Sequence, residues 1–173
     1  PNVDVVLVEA KQIGHGASGR NGGWLMGALE GYDAFVDDSG KLPLKARQQL
    51  TQIVSRAGEI LAKEGIDCDF HHGGCIMAAA RHDLQIGRAQ SMLAGFQGLG
   101  FGEDDYRWLT PTELSDRIQV ANPGGAVFTP HVARIQPAKL VTGLAGVVKS
   151  LGVRIFEHTR AHGIHSGVIR CDR

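Results

Sequence analysis

The chain has 173 residues, 18 Lys+Arg against 18 Asp+Glu, 43% apolar and 21% charged residues, the composition of one globular domain or part of a larger one. Zero formal charge gives no global attraction to nucleic acid or an anionic membrane, and no apolar run approaches the ~18 residues of a membrane span, so neither is expected as a partner. No segment near the start has the pattern of a secretory signal, and three cysteines, an odd number, argue against a disulfide framework and for a reducing, cytoplasmic setting. In chain order, Val3–Val8 is a β-branched apolar run, expected to be a strand buried on both faces as in a parallel sheet. It ends at Glu9. At the C-terminal end of such a strand, dinucleotide-binding folds place a carboxylate that accepts hydrogen bonds from a ribose diol. By itself Glu9 also reads as an ordinary solvated residue. In those folds a G-x-G-x-x-G turn follows the first strand, about 20 residues before the acid. If Glu9 is that ribose acid, Pro1 stands too close ahead of it for the first strand, turn and helix, which are then expected to be missing, and the chain reads as truncated.

Residues 14–23 hold five glycines: Gly14-His15-Gly16-Ala17-Ser18-Gly19-Arg20-Asn21-Gly22-Gly23. Gly14 to Gly19 fits G-x-G-x-x-G in letters, but the true fingerprint follows its strand at once and opens a helix leading to a second strand. Here five residues separate Val8 from Gly14, and no β-like run is seen before about residue 70. The better reading is a loop whose bare amides approach an anionic or planar ligand, with Ser18, Arg20 and Asn21 adding polar contacts. The plain alternative is a glycine-rich turn with no ligand.

Further along, Leu44 to Glu64 is the clearest helix, with Leu50, Ile53, Val54, Ala57, Ile60 and Leu61 at helical spacing between Pro43 and Gly65. Ile66 to Ala80 reads as a hairpin around Gly73-Gly74. Asp83–Gly98 reads as a helix with Ile86, Ala89, Leu93 and Phe96 on one face. Thr110-Pro111-Thr112-Glu113 is a capping box that starts a short helix to about Ile118. Gly125–Pro130 and Val132–Ile135 are strand-like, and Pro137 opens a helix that stops at Gly152. Val153–Phe156 follows as a strand, then two short strands over Ala161–His165 and Val168–Cys171, turning at Ser166-Gly167. This order gives an α/β entry, an α+β insert and a return to α/β, with boundaries near residues 40 and 136.

Cys68, His71, His72 and Cys75 form C-x-x-H-H-x-x-C and carry zinc-type ligands. An extended segment would point His71 and His72 to opposite faces, and structural zinc sites draw ligand pairs from two separate turns, so no metal is expected there. His158, His162 and His165 read as solvated strand-end residues, and Asp37-Asp38 and Asp104-Asp105 as solvated pairs in polar loops.

Two segments resemble a known family. Val5–Glu9 with Ile13–Gly23, above all Gly-Ala-Ser-Gly-Arg-Asn-Gly-Gly, is similar to the D-amino-acid oxidase superfamily of FAD-dependent oxidoreductases, and within it to amine oxidases of the gamma-glutamylputrescine oxidase type. Gly125–Thr159, with Gln136-Pro137-Ala138-Lys139-Leu140 and Leu151-Gly152-Val153-Arg154-Ile155, resembles the same family. The resemblance implies an α/β plus α+β fold. Residues 1–40 and 136–173 would belong to a partial FAD-binding, Rossmann-like domain lacking its first βα unit, and residues 41–135 to a mixed-sheet, substrate-domain-like insert. It implies that Glu9, with Ala10 beside it, holds the adenosine ribose. Gly14, Gly16 and Ser18 would line the pyrophosphate and ribityl chain, and Arg20, Asn21, Gly22 and Gly23 would run beside the isoalloxazine. The backbone near Arg160 and Ala161 would touch the adenine, although the family more often has a branched apolar residue where Ala161 stands. His15 raises the question of covalent flavin attachment; a plain loop histidine is the simpler reading.

The activity implied is hydride transfer to flavin from the carbon beside nitrogen in a small amine or amino acid. With both ends expected to be missing, this chain should hold FAD weakly or not at all, and no catalytic residue is assigned. The rival reading is an inert remnant that self-associates, as a homodimer, through surfaces bared by truncation.

Overall fold

The computed structural model describes residues 3–29 and 31–172. In chain order its elements are β1 (Val6–Val8), a 3-10 turn (Ala17–Gly19), β2 (Trp24–Met26), a second 3-10 turn (Tyr32–Ala34), α1 (Leu44–Lys63), β3 (Cys75–Ala78) and α2 (Asp83–Gly98). There follow β4 (Arg107–Leu109), α3 (Pro111–Ser115), β5 (Ala126–Thr129), β6 (Val132–Arg134), α4 (Pro137–Ser150), β7 (Arg154–Phe156), β8 (Ala161–His165) and β9 (Val168–Cys171). Two compact units share the chain: Pro1–Trp24, Glu59–Phe70 and Arg134–Arg173 make the first, Leu25–Gly58 and His71–Ala133 the second. Among the described residues no helix is long and apolar enough to cross a membrane.

The first unit is α/β. Strands β1 and β7 pair in parallel, Val6 opposite Arg154 and Val8 opposite Phe156. α4 starts as the sequence predicts, with Pro137 at its first turn and the Gln136 side-chain oxygen accepting from Lys139 N at 2.7 Å. One flank of the helix, Leu140 and Val147, packs on Leu61, Ile66 and Cys68. β8 and β9 form the expected antiparallel hairpin. The expectation of a doubly buried first strand is corrected: Val3 is 72% exposed and Leu7 43%, because β7 is the one strand partner of β1 among the described residues.

The second unit is α+β, an antiparallel sheet in the order β3-β5-β4 with α2 against it. The central strand β5 buries Ala126 and Val127 completely. Leu42, Phe101, Tyr106 and Val127 form the core with Leu93 and Phe96 of α2. There the Phe96 and Tyr106 rings stack at 3.9 Å between centroids and Phe101 meets Tyr106 edge-on at 5.3 Å. α3 carries its capping box, Thr110 N donating to Glu113 Oε2 at 2.8 Å and Glu113 N to Thr110 Oγ1 at 3.3 Å. It ends at Ser115, earlier than the expected Ile118.

Two further expectations change. Residues 66–80 do not form a local hairpin: β3 takes its partner from β5, far along the chain, with Cys75 opposite Thr129. A strand, β2, also exists before residue 70; it pairs with β6, and like β4 it is three residues long, too short for a period-2 pattern to show.

Candidate functional site

Glu9 directly follows β1 and extends its ladder: Glu9 N donates to Phe156 O at 2.9 Å, and Glu9 O accepts from Thr159 N at 2.8 Å. With the backbone held on both sides, the carboxylate is turned by a local bond, Oε1 accepting from Lys11 N at 2.7 Å. The side chain borders a cavity of about 330 Å³ within the first unit. Leu7 and Ile155 of the parallel strands form one wall and Val141, Leu144, Ala145 and Val148 of α4 another. The third is the glycine-rich loop through Ile13, Gly14, Gly16 and Ser18. The result is an apolar trough with one carboxylate and a stretch of bare backbone, the mixture typical of small-molecule and cofactor sites.

Packing explains part of the glycine content. Gly14 is in the left-handed region, φ +78°, and a β-carbon there would stand 2.6 Å from Val141 Cγ1, so bare backbone lets the loop lie on α4. At Gly19 a β-carbon would collide with the Gly14 carbonyl oxygen as the loop folds back on itself. Gly16 differs: among the described residues, its chain neighbours aside, no atom lies within 4 Å of where its β-carbon would stand. The protein's own packing makes no demand for glycine there, and what a side chain would fill is space beside the cavity. Together with a carboxylate acceptor, this cradle fits the sugar and phosphate portion of a dinucleotide.

The structure brings Glu9, Gly14, Gly16 and Ser18 to one cavity; Ala10, Arg20, Asn21, Gly22, Gly23 and Ala161 are not among its lining residues. Asn21 braces the loop, its Nδ2 donating to Ala17 O and Ser18 O at 3.2 and 3.1 Å and its Oδ1 accepting from Gly23 N at 2.8 Å. Arg20 NH2 lies 3.2 Å from His15 Nδ1, both exposed. Gly22 and Ala10 are exposed, Gly23 is buried against the Ile135 carbonyl, and Ala161 opens β8 at the surface. Sequence reasoning missed the α4 wall. Its apolar stripe was visible, but periodicity does not say what a stripe faces.

Among the other marked residues, Cys68 is buried in the first unit, where desolvation and then Asp67 and Asp69 push its thiol up. Burial raises Cys75 as well, so both are protonated packing groups at neutral pH. His72 Nε2 lies 2.8 Å from Pro130 O. Among the described residues no group of three or more His, Cys, Asp and Glu side chains is placed to hold a metal ion. Asp105, read from sequence as solvated, is half-buried and pairs with His131 Nε2 at 2.9 Å.

A model of the family described as FAD dependent oxidoreductase matches residues 2–172. Gamma-glutamylputrescine oxidoreductase of Escherichia coli is 28% identical over 159 residues, which cover 89% of this chain and 36% of that protein. The probable oxidoreductase OrdL of Haemophilus influenzae is 26% identical over 159 residues, covering 90% and 36%. Among solved structures, glycine oxidase from Geobacillus kaustophilus superposes with a TM-score of 0.69 at 24% identity, over 95% of this chain and 43% of that one. L-amino acid deaminase from Proteus myxofaciens gives 0.69 at 20% identity, over 94% and 34%. The chain thus spans a little over a third of the length of the curated relatives it matches.

Proposed function

The chain belongs to the FAD-dependent oxidoreductase family, and from that premise we propose that its first unit supplies part of the FAD site of an enzyme that oxidises the C–N bond of a small amine or amino acid. The observation that carries this reading is the convergence of Glu9 with Gly14, Gly16 and Ser18 on one cavity. Glu9 would accept the ribose hydroxyls and the amides of the Gly14–Ser18 stretch would receive the pyrophosphate. The apolar wall of α4 would exclude water from the dinucleotide's less polar parts. Arg20, Asn21, Gly22, Gly23 and the Ala161 backbone are proposed contacts further along the cofactor. The second unit would contribute to the substrate domain. When bound, FAD supplies the acceptor for the hydride leaving the carbon beside nitrogen; the chain's residues bind and orient it.

The substrate class is supported by the names of the relatives: one acts on gamma-glutamylputrescine, and the structural relatives include a glycine oxidase and an L-amino acid deaminase. A carbon bonded to nitrogen is common to all of these substrates.

The test is a titration of FAD fluorescence with this chain and with Glu9→Ala. Saturable quenching at high-micromolar protein is expected, weakened about tenfold or more in the variant, the usual consequence of losing a hydrogen bond to a charged group. No quenching by the unaltered chain would overturn the assignment of a flavin site to it. Equal quenching by the variant would remove Glu9 from that site.

A further inference from the structure

Residues 9–13 are tied to residues 156–159 by a short series of hydrogen bonds. Three are between backbones: Glu9 N to Phe156 O at 2.9 Å, Thr159 N to Glu9 O at 2.8 Å and His158 N to Lys11 O at 2.8 Å. Any residue types could make them. The fourth depends on a side chain: Ile13 N donates to Glu157 Oε1 at 2.8 Å. The bend that allows this lies at His158, whose φ of +52° is unusual for a residue other than glycine. It lets His158 N and Thr159 N reach back to residues 11 and 9 around the Glu157 contact.

Ile13 borders the cavity, and Gly14 follows it directly. Beyond this point, among the described residues, the loop's backbone hydrogen bonds are internal, His15 N to Gln12 O, Gly19 N to Gly16 O and Arg20 N to Ala17 O, until Gly23 O accepts from Ile135 N. The Glu157 carboxylate is therefore the last hydrogen-bonded hold on the loop before the stretch that lines the cavity. We propose that Glu157 is a positioning residue for the flavin dinucleotide, setting where Gly14, Gly16 and Ser18 stand relative to Glu9 by holding the Ile13 amide. Its consequence for FAD rests on the proposed function; the anchor itself does not.

The test compares the full chain with Glu157→Ala, which removes the acceptor, and Glu157→Gln, which keeps a carbonyl oxygen in its place. Without flavin, amide exchange at Ile13 and Gly14 should be about tenfold faster in the Ala variant and near the unaltered rate in the Gln variant. FAD affinity by fluorescence titration should fall about tenfold with Ala and return with Gln, while Tm falls by only a few degrees with Ala and holds with Gln. Unchanged exchange in the Ala variant overturns the proposal. So does faster exchange with unaltered FAD affinity, or a Gln variant that behaves like Ala. If the unaltered chain quenches no FAD, the proposed function fails on that result, and the exchange rates still decide whether Glu157 anchors the loop.

Discussion

At Gly19 a methyl group would collide with the Gly14 carbonyl oxygen, whereas at Gly16 it would meet no atom within 4 Å among the described residues beyond its chain neighbours. Gly19→Ala should therefore cost about 1–3 kcal/mol, as overpacking does, seen as a lower urea midpoint. Gly16→Leu should leave that midpoint within about 0.5 kcal/mol, as at unconstrained surface positions, yet abolish FAD quenching by filling the cradle. A Gly16→Leu chain that quenches like the original would place the dinucleotide elsewhere. Glycine density alone revealed that this loop needs bare backbone, but not whether a given glycine answers to the chain or to a ligand. Asn21 shows the same limit. Its pattern marks a polar contact, and the structure shows its amide engaged by Ala17, Ser18 and Gly23. Glu157 gave no signal, since its partner Ile13 is distant in sequence and its own neighbourhood is an ordinary strand end.

The helices were legible in sequence because their start and stop signals are local. α2 begins and ends where its pattern places it, and the α3 capping box forms from four consecutive residues. Thr110→Ala should cost about 1 kcal/mol in unfolding free energy, the usual loss for such a cap. The Glu113 carboxyl is held below its ordinary 4.5 by the Thr110 backbone N–H, then by the Thr110 hydroxyl and Arg107. A carboxyl lowered on folding stabilises above its unfolded value and loses that contribution as pH falls through the lower folded one. The urea midpoint should thus drop on acidification below about pH 4.5, and Glu113→Gln should flatten part of that drop. A Gln variant with the same acid limb would detach Glu113 from it. Strand partners were not legible. Gly73-Gly74 suggested a hairpin, but pairing is chosen by what can cover Cys75–Ala78, and β5 brings buried Ala126 and Val127 to do so.

For the molecule as a whole, the α/β and α+β character followed from element order, whereas the inclusion of Glu59–Phe70 in the first unit did not, because there contacts change and composition does not. The second unit's core contains a tyrosine whose ionisation must oppose folding. Burial, then Tyr32, pushes Tyr106 up to about 12 from its ordinary 10.0, with Thr129 pulling the other way and Asp105 adding to the rise. A phenol raised on folding stabilises below its unfolded value and loses that contribution as pH rises toward the folded one. Stability should therefore fall between about pH 10 and pH 12, and Tyr106→Phe should reduce that alkaline loss while costing about 1 kcal/mol at neutral pH through the Thr129 hydrogen bond. An alkaline limb unchanged in the Phe variant would point to another group. The parallel register of β1 with β7 also sets an order of events during synthesis. Val6 leaves the ribosome long before Arg154 exists to pair with it, and the whole second unit is translated in the interval. Until then the Val-Asp-Val-Val-Leu-Val stretch lacks the partner that β7 supplies, and that edge of a β-prone sequence stays open to other nascent chains. Slow translation between these strands would lengthen that exposure, and holdase chaperones that bind extended apolar segments would be needed most while the second unit is being made.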